Sequence, residues 1–153
     1  MKILVLYGPN LNMLGKRDVS QYGTVTLDAI NEMLKDIAQK ESIDLVFFQS
    51  NHEGVLIDFL QKYSKNASGI LINPGALTHY GYSLRDALTD TKLPIVEVHL
   101  SNILEREAFR KTDVLDRIVL ERFMGKREKS YIDGLAKLIK HIKNQKSNSK
   151  NTK

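Results

Sequence analysis

The sequence predicts an α/β fold, a five-stranded parallel sheet packed between two layers of helices. Two observations carry this. Short apolar runs rich in β-branched residues alternate with longer segments of helical period, and the polar residues able to do chemistry cluster just after the ends of those runs. Such alternation is the pattern of βαβ units with right-handed crossovers, which build a three-layer sandwich.

Each element has its own signal. Lys2 to Tyr7 reads as a buried strand. Thr26 can cap a helix whose apolar residues Leu27, Ile30, Leu34, Ile37 and Ala38 recur at helical spacing. Ile43 to Gln49 is a second strand. Asn51 or His52 opens a helix with Val55, Leu56, Phe59, Leu60 and Tyr63 inward. Gly69 to Ile72 is a third strand, stopped by Asn73-Pro74-Gly75. Ser83 to Thr91 reads as a helix, and Ile95 to Val98, entered through Pro94, as the fourth strand. A helical turn is expected at Ile103 to Glu107 and a fifth strand at Arg117 to Glu121. Ser130 caps a last helix carrying Ile132, Leu135, Leu138, Ile139 and Ile142. From Asn144 the chain turns polar and rich in Lys, Asn and Ser, so the expectation is one catalytic domain over 1–143 and a disordered tail over 144–153. The strand order expected is 2-1-3-4-5, which is flavodoxin-like.

Composition narrows the function classes. A chain of 153 residues, 42% hydrophobic and 27% charged, fits one soluble domain with a sizeable core. No apolar run approaches the ~20 residues of a membrane span. The apolar start, Ile3 to Tyr7, reads as a strand rather than a signal peptide. With no cysteine, disulfides and thiolate catalysis are excluded, which fits a cytoplasmic protein. The net charge of +5 comes partly from lysines near the C-terminus. They lack the interleaved aromatics of a nucleic-acid surface, so a site for an anionic metabolite is the better reading.

In an open parallel sheet, ligands bind beyond the carboxyl ends of the strands. After the first strand comes a loop from Gly8 to Gly23, long for an α/β connection. It has neither a dinucleotide fingerprint nor a phosphate-cradling Walker pattern. It carries Arg17 and Tyr22 between Gly15 and Gly23, which suggests a lid. After the third strand come Asn73 and His79. After the fourth come His99, Ser101 and Asn102, then Arg106 and Arg110, four apart. Glu97, His99 and Ser101 alternate along the strand and share one face. A carboxylate beside an imidazole can fix its tautomer. A metal site from Glu97, His79 and His99 is disfavoured, because the spacing matches no metal motif. A flavin- or nucleotide-binding protein would need phosphate-binding Gly and Ser/Thr in the first loop, where Pro9-Asn10-Leu11-Asn12 stands instead.

Five blocks together resemble the type II 3-dehydroquinate dehydratases. They are Gly8-Pro9-Asn10-Leu11-Asn12-Met13-Leu14-Gly15 with Arg17 and Tyr22-Gly23; Phe48-Gln49-Ser50-Asn51-His52-Glu53-Gly54; Ile72-Asn73-Pro74-Gly75-Ala76; Glu97-Val98-His99-Leu100-Ser101-Asn102-Ile103; and Arg106-Glu107, then Phe109-Arg110. The resemblance runs from residue 2 to about residue 111. Beyond it, the family's glycine-rich turn ending in Gly-Tyr is replaced by Phe123-Met124-Gly125-Lys126-Arg127-Glu128-Lys129-Ser130-Tyr131.

The resemblance implies a lyase of the shikimate pathway, acting on 3-dehydroquinate without metal or cofactor, in a cytoplasmic dodecamer built from trimers. Removing a proton α to a ketone needs a base and an enolate stabiliser, and expelling hydroxide needs an acid. By resemblance Tyr22 is the base, with Arg17 favouring its phenolate, and His99 is the acid, oriented by Glu97. Asn10 and Asn73 would position the water that stabilises the enolate. Ser101 and backbone groups at Leu100, Asn102 and Ile103 would meet the substrate carboxylate. His79 and Arg110 would contact its hydroxyls, and Asp86 would reach a neighbouring subunit's site. A regulator that had abandoned catalysis would be expected to lose Arg17, Tyr22 or His99, and all three are present.

Overall fold

The computed structural model describes residues 1–150; positions 151–153 of the expected tail lie outside the described residues. A five-stranded sheet, all parallel, has the order β2-β1-β3-β4-β5. The strands are β1 (Lys2–Tyr7), β2 (Asp44–Gln49), β3 (Gly69–Asn73), β4 (Ile95–Val98) and β5 (Glu121–Phe123). The helices are α1 (Val19–Tyr22), α2 (Leu27–Lys40), α3 (Glu53–Tyr63), α4 (Tyr82–Asp90) and α5 (Lys129–Lys150). The expected three-layer, flavodoxin-like architecture is therefore present, strand order included.

Alternation along β1 divides the core in two. Ile3, Val5 and Tyr7 pack with Ile30, Leu34, Leu135 and Leu138 of α2 and α5. Leu4 and Leu6 pack on the opposite face with Leu56, Leu60, Leu84 and Leu88 of α3 and α4. A period of two in the strand thus meets a period of 3.6 in each helix. Val96 and Val98 of β4 join the first cluster, which turns Glu97 toward the second layer. Thr26 caps α2 as its sequence predicts, its hydroxyl accepting from the Ala29 N–H at 3.1 Å.

Four expectations need correction. The fifth strand lies at Glu121–Phe123, not Arg117–Glu121. An Ile118 N–H to Leu115 carbonyl bond closes a turn in the apolar run, and the chain enters the sheet only where the Leu120 N–H meets the Ile95 carbonyl. In α3, Leu56, Phe59 and Leu60 face inward, while Val55 and Tyr63 fall on the flank of that stripe and are exposed. Ser130 is the second residue of α5 rather than its cap; its hydroxyl accepts from the Lys126 N–H at 3.2 Å. Finally, Asn144 to Lys150 continue α5 instead of dissolving into a tail. Once a helix is docked through Leu135, Leu138 and Ile142, extending it by a turn or two needs no further nucleation.

Candidate active site

The sheet order makes β1, β3 and β4 consecutive neighbours, so the loops after their carboxyl ends share one crevice. Gly8 sets the closeness of two of these loops. Its N–H donates to the Asn73 carbonyl at 2.8 Å, and a Cβ at Gly8 would lie 2.2 Å from the Pro74 carbonyl oxygen. No larger residue fits that backbone-to-backbone approach. Asn10 follows in the left-handed region, its N–H donating to Asn51 Oδ1 at 2.9 Å. Asn73 is buried and fixed at both ends of its amide. Its Oδ1 accepts from the Gly75 N–H at 3.0 Å, and its Nδ2 donates to the Tyr131 hydroxyl at 2.7 Å.

Residues 15–23 form a flap between two glycines with positive φ, +87° at Gly15 and +72° at Gly23. Asp18 caps the short α1, accepting from the Ser20 N–H at 2.9 Å, and so delivers Tyr22 to the crevice. Two guanidinium groups meet there. Arg17 lies over the Tyr22 ring, 3.9 Å from its centroid, and donates from Nη2 to the phenolic oxygen at 3.1 Å. Arg106 donates from Nη1 to the same oxygen at 2.9 Å and to Ser101 Oγ at 3.4 Å. Arg110 lines the crevice too, held by Glu107 Oε2 at 2.6 Å. Three guanidinium groups facing one crevice suit an anionic ligand.

His99 is buried where β4 ends. Its Nε2 lies 2.7 Å from Glu97 Oε1, and Glu97 is fully enclosed, at 0% exposure. Burial works against the Glu97 charge. Hydrogen bonds from His99 and Thr78, with the charges of His99 and Arg122, outweigh it and hold the carboxyl well below the usual range. An ionised carboxylate can only accept, so the His99 proton on that side sits at Nε2 and Nδ1 is left for chemistry.

His79 also lines the crevice, its ring edge-on to Phe109. Its Nδ1 donates to the Thr112 carbonyl at 2.7 Å. Burial holds its pKa below the ordinary value, although the Thr112 bond opposes this. The neutral ring therefore presents Nε2 as an acceptor.

The crevice gathers most of the residues singled out in the sequence: Asn10, Arg17, Tyr22, Asn73, His79 and His99, with Leu100, Ser101, Ile103 and Arg110. Three stand apart. Glu97 lies behind His99 rather than on the wall. The Asn102 side chain turns away to cap the next turn, accepting from the Leu104 N–H at 3.2 Å. Asp86 is on the outer face of α4, 77% exposed and 3.7 Å from Arg85, outside this chain's crevice.

The sequence alone assigns no role to Arg106, Thr78, Asp113, Arg122 or Tyr131. Arg106 and Arg110 could share a helical face in the sequence. Only the two short 3₁₀ turns, Ile103–Glu105 and Ala108–Lys111, decide which of them reaches the phenol. No sequence signal marks Arg122, because its pairing with Glu97 follows from the register of the folded sheet.

Fold and site together define a flavodoxin-like α/β protein with an acid–base crevice at the carboxyl ends of its strands. The chain belongs to the class II dehydroquinase family, whose model, "Dehydroquinase class II", matches residues 1–139. It is 54% identical over 132 residues to a 3-dehydroquinate dehydratase of Roseiflexus castenholzii, covering 86% of this chain and 84% of that relative. Against the 3-dehydroquinate dehydratase of Trichodesmium erythraeum it is 46% identical over 143 residues, covering 94% and 95%. Among solved structures, the type II dehydroquinase of Butyrivibrio crossotus superposes with a TM-score of 0.87 at 41% identity, covering 90% of this chain and 97% of that one.

Proposed function

We propose that this protein is a 3-dehydroquinate dehydratase, a hydro-lyase of the shikimate pathway that removes water from 3-dehydroquinate by anti elimination through an enolate. The observation that carries the proposal is the phenolic oxygen of Tyr22 held by Arg17 and Arg106 in the same crevice as His99. Two guanidinium groups donate to the one oxygen that a tyrosine base would use.

In this reading the Tyr22 phenolate takes the proton α to the ketone. The electron pair moves onto the carbonyl oxygen as an enolate. Asn10 and Asn73 position a water molecule that hydrogen-bonds to it. The enolate then collapses as His99 gives its Nδ1 proton to the leaving hydroxyl, which departs as water. Glu97 keeps the ring in the orientation that aims Nδ1 at that hydroxyl. Solvent returns the proton from Tyr22 to His99. Ser101 and the N–H groups of Asn102 and Ile103 receive the substrate carboxylate, near Leu100. Neutral His79 accepts from a substrate hydroxyl and Arg110 donates to one.

We further infer a cytoplasmic enzyme assembled as a dodecamer built from trimers, in which Asp86 serves a neighbouring subunit's site. Tyr80 and Tyr82, 60% and 64% exposed at the head of α4, offer the apolar surface such a contact needs, and Asp86 lies on the same helix. Among the described residues no helix is long and apolar enough to cross a membrane. Light scattering should give a mass twelve times that of the chain.

The activity is tested by adding 3-dehydroquinate and following the absorbance of the conjugated enone product. No absorbance gain with pure protein would reject the dehydratase reading.

A further inference from the structure

The crevice has a charged foundation that the proposed chemistry does not use directly. Behind His99, in the layer shared with α3 and α4, lie Glu97, Thr78, Asp113, Asp116 and Arg122. Glu97 and Arg122 are cross-strand neighbours in the parallel register of β4 and β5. Directly paired residues of neighbouring strands point to the same face, so both side chains leave the sheet together. Arg122 Nε donates to Glu97 Oε2 at 3.2 Å. Its Nη2 pairs with Asp113 and, at 3.0 Å, with Asp116 Oδ1. Thr78 Oγ1 bonds Glu97 Oε1 and lies 3.2 Å from Asp113 Oδ1.

The two oxygens of Glu97 therefore have different partners. Oε1 takes His99 and Thr78, and Oε2 takes Arg122. A carboxylate anchored at only one oxygen can rotate about its last bond, and a rotation would swing Oε1 away from His99. The guanidinium is a rigid planar fork with fixed donor directions, and it is tied on its far side to Asp113 and Asp116. It fixes the plane of the Glu97 carboxylate.

We propose that Arg122 is a positioning residue for the acid–base chemistry, acting through Glu97 to set the direction of the His99 ring. Asp113 is the counter-charge that keeps the guanidinium in place. Replacing the arginine alone would leave Glu97 and Asp113 as enclosed carboxylates without their shared cation, and such a protein can fail to fold for that reason alone. The informative variant removes one charge of each sign.

This inference rests on the dehydratase reading for its kinetic arm only. The test compares wild type, Arg122→Met/Asp113→Asn and Arg122→Lys, by steady-state kinetics with 3-dehydroquinate and by crystal structures of all three. In the double variant kcat should fall about 10- to 100-fold, the cost of a misdirected catalytic group, with KM within about threefold. The Glu97–His99 contact should be lost or turned in its crystal structure. Arg122→Lys keeps a cation on Glu97 and should recover most of the lost kcat. A double variant with kcat within about twofold of wild type, or with the Glu97–His99 contact intact, would overturn the proposal. So would a rise in KM matching the fall in kcat, the mark of general damage to the crevice. Wild-type protein that does not turn over 3-dehydroquinate would sink the dehydratase reading instead, and the crystal structures alone would then decide the role of Arg122.

Discussion

Arg106 and Tyr22, 84 positions apart, meet at 2.9 Å, guanidinium to phenolic oxygen. The contact joins the loop after β4 to the flap after β1. It gives the phenolic oxygen a second cation beside Arg17. A charge-assisted hydrogen bond contributes about 1.5–3 kcal/mol, so Arg106→Ala should lower kcat about 10- to 100-fold. Tyr22→Phe, which removes the proposed base, should cost about 10²- to 10⁴-fold while the fold survives. Near-wild-type turnover of Tyr22→Phe would exclude the phenol as base.

The same dehydration can be run in principle through an imine between a lysine and the ketone. Among the described residues lining the crevice there is no lysine; its cations are arginines, which do not form imines. Borohydride added during turnover should therefore leave the activity and the protein mass unchanged. A substrate-sized adduct mapped to any lysine would overturn the enolate mechanism even with the activity confirmed.

Gly8 is predicted to tolerate no side chain. The alanine Cβ would fall 2.2 Å from the Pro74 oxygen and 2.5 Å from its carbonyl carbon. Both are backbone atoms, which cannot rotate aside. Gly8→Ala should lower the unfolding free energy by about 1–3 kcal/mol and separate Asn10 from Asn73. Turnover should drop more than the residual folded fraction explains. Equal melting temperatures for the two proteins would refute this.

Asp113 makes stability depend on pH. Burial, then the neighbouring Glu97 charge, push its carboxyl up to about 6, against the pull of the Leu115 N–H and Arg122. A carboxyl raised on folding adds stability below its unfolded pKa and loses it as pH rises through the folded one. The Asp113 contribution should thus fade between about pH 4 and pH 6, by roughly 1–2 kcal/mol after solvent screening. Glu97, whose carboxyl is lowered, works the other way, its contribution fading as the pH drops below about 4.5. Urea unfolding of wild type and Asp113→Asn from pH 4 to 7 isolates the first effect. The wild-type advantage should shrink as the pH rises, and parallel curves would disprove it.

The sequence carried the fold far because local and global signals agree in most elements. β1 alternates between two cores, α2 has its Thr26 cap, and Asn73-Pro74-Gly75 stops β3 where the crevice needs an amide. The fifth strand was misplaced because local preference and tertiary pairing disagree. The apolar run 118–120 has strand-like residues, but β5 is fixed by the pairing of Arg122 with Glu97 and holds charged residues at two of its three positions. Only the folded sheet reveals that pairing. The convergence of Asn10, Tyr22, Asn73, His79 and His99 was legible because each follows a strand end. The supporting residues Thr78, Asp113 and Tyr131 were not, because their roles depend on contacts 19, 35 and 58 positions apart.

Arg17 and Tyr22 sit on the same flap, with Arg17 stacked on the tyrosine ring, whereas Arg106 belongs to the frame. Any displacement of residues 15–23 would carry the phenol and its first cation away together and leave the second behind. Both guanidinium contacts to the phenolic oxygen are made together in this position of the flap. In the proposed mechanism, proton abstraction would then depend on where the flap lies. A molecule that held the flap elsewhere would meet a tyrosine without its Arg106 contact, so the proposed mechanism would select visitors by what they can close as well as by what they are.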